Sequence, residues 1–315
     1  MFPITTLEFT IETQYPLDLG ANPGASIRGA LYEALATMYD TGAISTRDNP
    51  DNNPVDWLMR REDKTADGGD KVRRPFGVRP PMGAPSDRTV FALSFYGTGH
   101  DHIPMVLSAV DAMQTIGMGR GRNKFTLHEV VAVDTLSRQR TLIINGVGEQ
   151  VAPLPTPPSA GAYQRFADML NPNGLTVEFR TPTRIIETRE NNAGKKEYLV
   201  KIPIFKAWVQ RLLERIRKVS EEYTATPLFA PFSELKPLLA SVLLVQDNTH
   251  WLENWSHNRR DGTDKPTSGF IGQARYEGNI APLLPYLLMG QGLQVGKNVV
   301  KGAGWYELVY DWRTD

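Results

Sequence analysis

Residues 151–161, VAPLPTPPSAG, hold four prolines and no charged side chain. Proline fixes φ and lacks an amide hydrogen, so such a stretch suits neither a helix interior nor a central strand. It reads as a connector. It falls at the middle of 315 residues, a length that suggests two domains of about 100–200 residues each. The patterns on its two sides repeat one rhythm.

Before the connector, residues 4–14 alternate in type and are rich in Thr, Ile and Phe, which predicts a strand. Ser26 then precedes Ile27, Ala30, Leu31, Ala34, Leu35 and Met38, whose three- and four-residue spacing predicts an amphipathic helix of about four turns. Residues 89–96 read as a strand, 103–116 as an apolar helix and 125–134 as a strand, with 141–145 extending the sheet. Between the first helix and the second strand, residues 41–88 are rich in Asp, Asn, Gly, Pro and Arg. They read as a long insertion, anchored by Val55, Trp57, Leu58 and Met59.

After the connector come a strand at 175–186, a helix at 204–223, an apolar segment at 235–245, a strand at 270–276, a helix at 281–289 and a final strand at 305–312. The expected class is α+β, with two tandem ferredoxin-like (RRM-like) domains, each a sheet carrying helices on one face. The first domain is placed at 1–155 with the insertion at 41–88. The second is placed at 165–315 with a glycine-rich loop at 292–304.

No cysteine occurs, which excludes disulfides, thiolate metal sites and a cysteine nucleophile. The first residues lack a basic stretch followed by an apolar core, and no apolar run approaches the roughly 18–20 residues of a membrane span. The expectation is a cytoplasmic protein without a membrane partner. Basic and acidic side chains balance at 35 each, but residues 1–157 carry 15 basic and 18 acidic groups, and residues 158–315 carry 20 and 17. The second half is the one suited to face an anion.

Three segments carry candidate chemistry. Residues 117–124, GMGRGRNK, combine glycines with Arg120, Arg122 and Lys124 and no acid, so backbone and cations can approach phosphates together. The bland alternative is a helix cap and turn with solvated arginines. Residues 293–304, LQVGKNVVKGAG, join glycines to Lys297 and Lys301. A dinucleotide loop follows a strand and opens a helix; here the order is reversed, which leaves polyanion contact. Residues 251–260, WLENWSHNRR, read as a loop in which Trp255 stacks on a base, Arg259 and Arg260 hold phosphates and His257 trades protons. The bland alternative makes the tryptophans core anchors. His100 and His102 lack further ligands, so no metal is expected, and His128 and His250 read as structural.

The run GFIGQARYEG (269–278), APLLP (281–285) and VGKNVVKGAGWY (295–306) closely resembles the end of the CRISPR repeat-processing endoribonucleases of the RAMP (repeat-associated mysterious protein) superfamily. The hallmark of that family is a glycine-rich loop before the last strand. LTVEFRTPTR (175–184) is similar to the strand opening the family's second domain, SIRGALYEAL (26–35) to its first helix and IGMGRGR (116–122) to its basic turn. The resemblance implies two ferredoxin-like domains and cofactor-free, metal-independent cleavage of precursor CRISPR RNA within its repeat by 2′-hydroxyl attack, with the product retained. The alternative it leaves open is a non-catalytic RAMP subunit that holds crRNA in an effector complex. Implied partners are CRISPR repeat RNA and other Cas subunits.

Relatives commonly carry histidine on the first helix, where this chain has Tyr32 and Glu33, and before the valine–glycine–lysine of the last loop, where it has Gln294. The catalytic set expected here is therefore His257 as acid or base, with Tyr32 and Arg28 near the scissile phosphate. Arg120, Arg122, Lys124, Trp255, Arg259, Arg260, Lys297 and Lys301 form the expected RNA-binding set.

Overall fold

The computed structural model describes residues 2–39, 53, 55–60, 73–191, 194–228, 232–258 and 262–313. In its first strand, β1 (Ile4–Glu12), Leu7, Phe9 and Ile11 are buried, while Glu8 between them is part-exposed. Leu7, Phe9 and Ile11 share one face of the strand, and on the other Ile4, Thr6 and Thr10 are buried as well, with the helix Leu284–Leu293 against that strand. β1 pairs antiparallel with β3 (Arg88–Tyr96) on one side and β4 (Thr126–Val133) on the other. β2 (Phe76–Arg79) and β5 (Arg140–Ile144) complete the sheet in the order β2-β3-β1-β4-β5. The helices α1 (Pro23–Tyr39) and α2 (Ile103–Ile116) pack together over it. The connectivity is ferredoxin-like, with β5 appended.

β2 corrects the sequence reading, which gave its residues to the insertion. All four of its residues are buried, so no alternation is visible, and Pro75 and Pro80 flank it. Val55–Arg60 form a wide helical turn with Trp57 and Leu58 buried, as the anchored piece predicted. Apart from Asn53, the rest of 41–72 lies outside the described residues.

After the extended connector, Ser159 Oγ accepts from the Ala162 amide at 3.3 Å and caps α3 (Ala160–Asp168). The second sheet runs β13-β6-β12-β9, again the ferredoxin-like order. It comprises β6 (Gly174–Thr183), β9 (Leu243–Leu252), β12 (Gly269–Glu277) and β13 (Tyr306–Val309). The helices α4 (Phe205–Tyr223), α5 (Phe232–Ser241) and α6 (Leu284–Leu293) connect these strands. Two hairpins are inserted: β7 (Ile185–Asn191) with β8 (Gly194–Val200), and β10 (Trp255–Asn258) with β11 (Thr263–Pro266).

Three further expectations change. The strand expected at 175–186 divides between β6 and β7, and the apolar segment 235–245 divides between α5 and β9. The stretch 251–260, read as a loop, contains the end of β9 and all of β10. Its mixture of Trp, Ser, His and Asn gives no clean alternation, because a projecting hairpin buries little of either face.

α6 joins the two halves. It is buried on nearly every side against α3, α4 and β13, and it also meets β1 and β3. Helix C-terminal carbonyls have no partner within the helix. Here the Gln291 carbonyl accepts from Arg79 Nη2 at 2.9 Å, and the Leu293 carbonyl from Tyr96 Oη at 3.2 Å and Arg215 Nε at 3.1 Å. The first sheet and α4 thus both supply caps, and cations suit the negative end of the helix dipole. Burial lowers the pKa of both guanidiniums and raises that of Tyr96.

Candidate nucleic-acid interface

The glycine-rich loop between α6 and β13 lies directly on the first turn of α1. A Cβ at Gly24 would collide with the Lys301 carbonyl, and the Gly302 Cα would be 2.8 Å away. Asn298, Gly302 and Gly304 adopt φ of 64°, 90° and 75°, which folds the loop into a short turn over Val299–Lys301. Gln294, with φ of 60°, is fully buried. Its Nε2 donates to the Val78 carbonyl at 2.9 Å and the Ala303 carbonyl at 3.2 Å, so it braces the loop against β2.

The hairpin β10–β11 meets the same place. Lys301 Nζ lies 3.4 Å from Ser256 Oγ, and Asn298 Nδ2 lies 3.5 Å from the Pro266 carbonyl. Trp255 is 56% exposed, and its carbonyl accepts from Asn22 Nδ2, just ahead of α1, at 2.6 Å. His257 stands opposite Asp264 in the ladder. The His257 side chain and all of Arg259 and Arg260 lie outside the described part of the structure. Lys297 is exposed, and its amide donates to the Arg184 carbonyl at 3.1 Å. Just ahead of the hairpin, hydrogen bonds from Ser268 Oγ and Trp251 Nε1 hold the Glu253 carboxyl below the usual range.

Arg28 and Tyr32 sit four residues apart on α1 and therefore share a face. Both are part-buried, and Tyr32 packs against the core. The basic turn 117–124 reaches α1 farther along. Gly117, Gly119 and Arg122 have positive φ, Met118 and Asn123 close the turn, and Arg120, Arg122 and Lys124 are exposed. Arg122 Nη1 contacts Glu33 Oε1 at 2.6 Å. Nine residues at 1.5 Å each put Glu33 about 14 Å along the helix from Gly24.

The structure therefore gathers the glycine-rich loop with Lys297 and Lys301, the hairpin with Trp255, and the start of α1 at one place. It sets Arg120, Arg122 and Lys124 beside a later turn of the same helix. Sequence reasoning missed Asn22, Asn254 and Thr267, which tie the hairpin to α1. No spacing rule singles out isolated Asn and Thr side chains.

Among the described residues no group of three or more His, Asp or Glu could hold a metal ion. His100 Nδ1 lies 2.9 Å from Thr5 Oγ1, and the His102 ring lies 4.2 Å from that of Trp57. Both histidines therefore pack into the fold. Among the described residues no helix is long and apolar enough to cross a membrane.

Two ferredoxin-like sheets, joined by a buried helix and followed by an acid-free glycine-rich loop before the last strand, define a RAMP-type protein. A family model described as CRISPR-associated endoribonuclease Cas6 matches residues 177–306, and a model described as an N-terminal domain matches residues 2–156. The second half of the chain thus matches the Cas6 family model in sequence, and the whole chain shares the Cas6 fold. Among solved structures it is similar to a Cas6 product complex, at 13% identity over 97% of this chain and 100% of that one, with a TM-score of 0.62. Thermus thermophilus Cas6 matches at 12% identity over 98% and 99% of the two chains, with a TM-score of 0.56. A chain of a partial Cas6-RT-Cas1–Cas2 complex matches at 11% identity over 100% of this chain and 47% of that one, with a TM-score of 0.62. At these identities the likeness shows the fold. No curated protein matches in sequence.

Proposed function

We propose that this chain binds CRISPR repeat RNA along α1, the glycine-rich loop and the β10–β11 hairpin, and cleaves it there without a metal ion. The observation that carries this reading is the seating of the acid-free loop, with Lys297 and Lys301, on the first turn of α1 beside the hairpin. A ribose 2′-hydroxyl attacks the adjacent phosphorus, and its proton goes to a base. The bond from phosphorus to the 5′ oxygen breaks, and that oxygen takes a proton from an acid. The products are a 2′,3′-cyclic phosphate and a 5′-hydroxyl.

His257 serves as acid or base, a role worth about 10²–10⁴ in rate. Arg28 and Tyr32 lie near the scissile phosphate. Lys297, Lys301, Arg259 and Arg260 stabilise the charge that develops on it, and Trp255 stacks on a neighbouring base. Arg120, Arg122 and Lys124 hold the strand farther along α1. The working division is residues 1–155 and 165–315, with α3, which straddles the start of the second unit, packed on α6. The cleaved RNA stays bound, and other Cas subunits are the second class of partner.

The test incubates the protein with its cognate repeat RNA in excess EDTA and analyses the product ends. A cyclic-phosphate terminus supports the proposal. Tight binding that leaves the RNA intact would overturn cleavage and leave a subunit that only holds RNA.

A further inference from the structure

Asn22 immediately precedes α1, and its carbonyl accepts from the Ala25 amide at 3.0 Å and the Ser26 amide at 3.2 Å, closing the first turn of the helix. Its side-chain amide faces the other way and has no unused capacity. Nδ2 donates to the Trp255 carbonyl at 2.6 Å and to Asn254 Oδ1 at 3.4 Å. Oδ1 accepts from Asn254 Nδ2 at 3.0 Å and from Thr267 Oγ1 at 3.0 Å. A carboxamide offers two donors and two lone pairs, and all four are engaged.

The partners are the two feet of the β10–β11 hairpin. Asn254 and Trp255 lead into β10, and Thr267 follows β11. The feet are also tied to each other, since the Thr267 amide donates to the Asn254 carbonyl at 2.9 Å. Asn254 Nδ2 reaches back to the Ala21 carbonyl at 3.0 Å. A two-stranded hairpin is marginal on its own, so its direction must come from such ties. Those from the loop side, Lys301 to Ser256 at 3.4 Å and Asn298 to Pro266 at 3.5 Å, are longer than all but one of these, the 3.4 Å contact of Asn22 Nδ2 with Asn254 Oδ1.

We infer that Asn22 is a positioning residue for RNA cleavage, clasping both feet of the hairpin that carries His257 and so fixing that hairpin against the start of α1. The inference rests on the role given to His257 above. Asn22 belongs to the first half of the chain and the hairpin to the second, so the clasp makes the cleaving arrangement depend on the docking of the two halves. No other side chain among the described residues is hydrogen-bonded to both feet of the hairpin from the α1 side.

The experiment measures single-turnover cleavage of repeat RNA, RNA affinity and thermal stability for full-length Asn22→Ala, His257→Ala and the double variant. Misplacing a reacting group by about 1 Å can cost about 10²-fold, and a loss of that order is expected in the rate constant of Asn22→Ala with RNA affinity little changed. In the His257→Ala background the second substitution is expected to add almost nothing, because both act on one group. Asn22→Asp keeps the two accepting contacts but sets a carboxylate oxygen against the Trp255 carbonyl in place of the donor, so its rate is expected to fall at least as far as that of Asn22→Ala. It also provides the reading should the alanine variant fold poorly. Wild-type cleavage by Asn22→Ala, or effects of the two substitutions that multiply in the double variant, would overturn the inference alone. RNA left intact by the wild type would overturn the cleavage reading and this inference with it.

Discussion

Arg122 is held by Glu33. Its Nη1 lies 2.6 Å from the carboxylate Oε1, with side chains 65% and 44% exposed, and the contact fixes the basic turn to the exposed side of α1. An exposed pair of this kind contributes about 0–1 kcal/mol to folding, so its larger effect falls on an incoming polyanion. The carboxylate repels phosphate and occupies the arginine. Glu33→Gln is expected to tighten RNA binding and to steepen the dependence of log affinity on log salt by about 0.7, one further single-strand phosphate contact. Titration at several salt concentrations reads it, and an unchanged slope would remove Arg122 from the RNA path.

Trp255 and Lys297 are exposed on neighbouring pieces of the interface and should separate stacking from charge. Trp255→Ala is expected to cost about 1–3 kcal/mol of RNA affinity with the salt slope unchanged. Lys297→Ala is expected to lower the slope by about 0.7. Neither should lower the melting temperature appreciably, since neither side chain fills the core. A Trp255→Ala variant that binds as tightly as wild type would assign that tryptophan to packing alone.

Gln294 stands where relatives often place a histidine, yet here it is a brace. Removing its amide leaves the buried Val78 and Ala303 carbonyls without those donors, at about 1–3 kcal/mol. Gln294→Ala is expected to lower the melting temperature by several degrees, given about 2–4 °C per kcal/mol in larger domains. A variant that melts with wild type would show that the loop does not need the brace.

The long periodic elements could be read from sequence because one face of each is buried. Ile27, Leu31 and Ala34 mark α1 by their spacing, and the helix expected at 103–116 has those bounds in the structure. β2 was invisible because the four residues of FGVR are all buried and show no alternation. The loops 117–124 and 293–304 were visible as chemistry, since cations among glycines without acids are uncommon in composition. Their seating on a shared helix was not, because Gly24 meets Gly302 across nearly the whole length of the chain. The Asn22 clasp was hidden for the same reason: a hydrogen-bond network between distant residues has no period.

Alkaline pH should unfold the protein through its buried tyrosines. Burial raises the pKa of Tyr96, Tyr163, Tyr276, Tyr306 and Tyr310 above the ordinary value of 10. The unfolded chain ionises near pH 10 while the folded chain keeps these hydroxyls neutral, so their contribution is complete below that pH. It is lost as pH rises from there toward the folded values. Melting temperature is expected to fall steeply above about pH 10, with tyrosinate absorbance appearing together with unfolding. Tyr276→Phe should make the fall shallower. At neutral pH it should cost about 1–3 kcal/mol, because the Pro203 carbonyl loses its donor at 2.7 Å and the buried Trp208 Nε1 its acceptor at 3.2 Å. Tyrosinate appearing well before unfolding would contradict this account.

Two glycines of α1 give the sharpest contrast. A Cβ on Gly29 meets nothing within 4 Å, whereas a Cβ on Gly24 would run into the Lys301 backbone carbonyl. Alanine is favoured over glycine inside a helix by about 0.8–1 kcal/mol, so Gly29→Ala is expected to stabilise the protein by about that amount. Gly24→Ala gains less from the helix, being at its first turn, and must push the glycine-rich loop off α1, because the obstructing atoms are backbone and cannot rotate away. It is expected to lower both the melting temperature and the affinity for RNA, while Gly29→Ala leaves RNA affinity close to wild type. Equal RNA affinity for the two variants would mean that the contact between loop and helix does not shape the interface, which would remove the observation on which the RNA-binding surface is drawn.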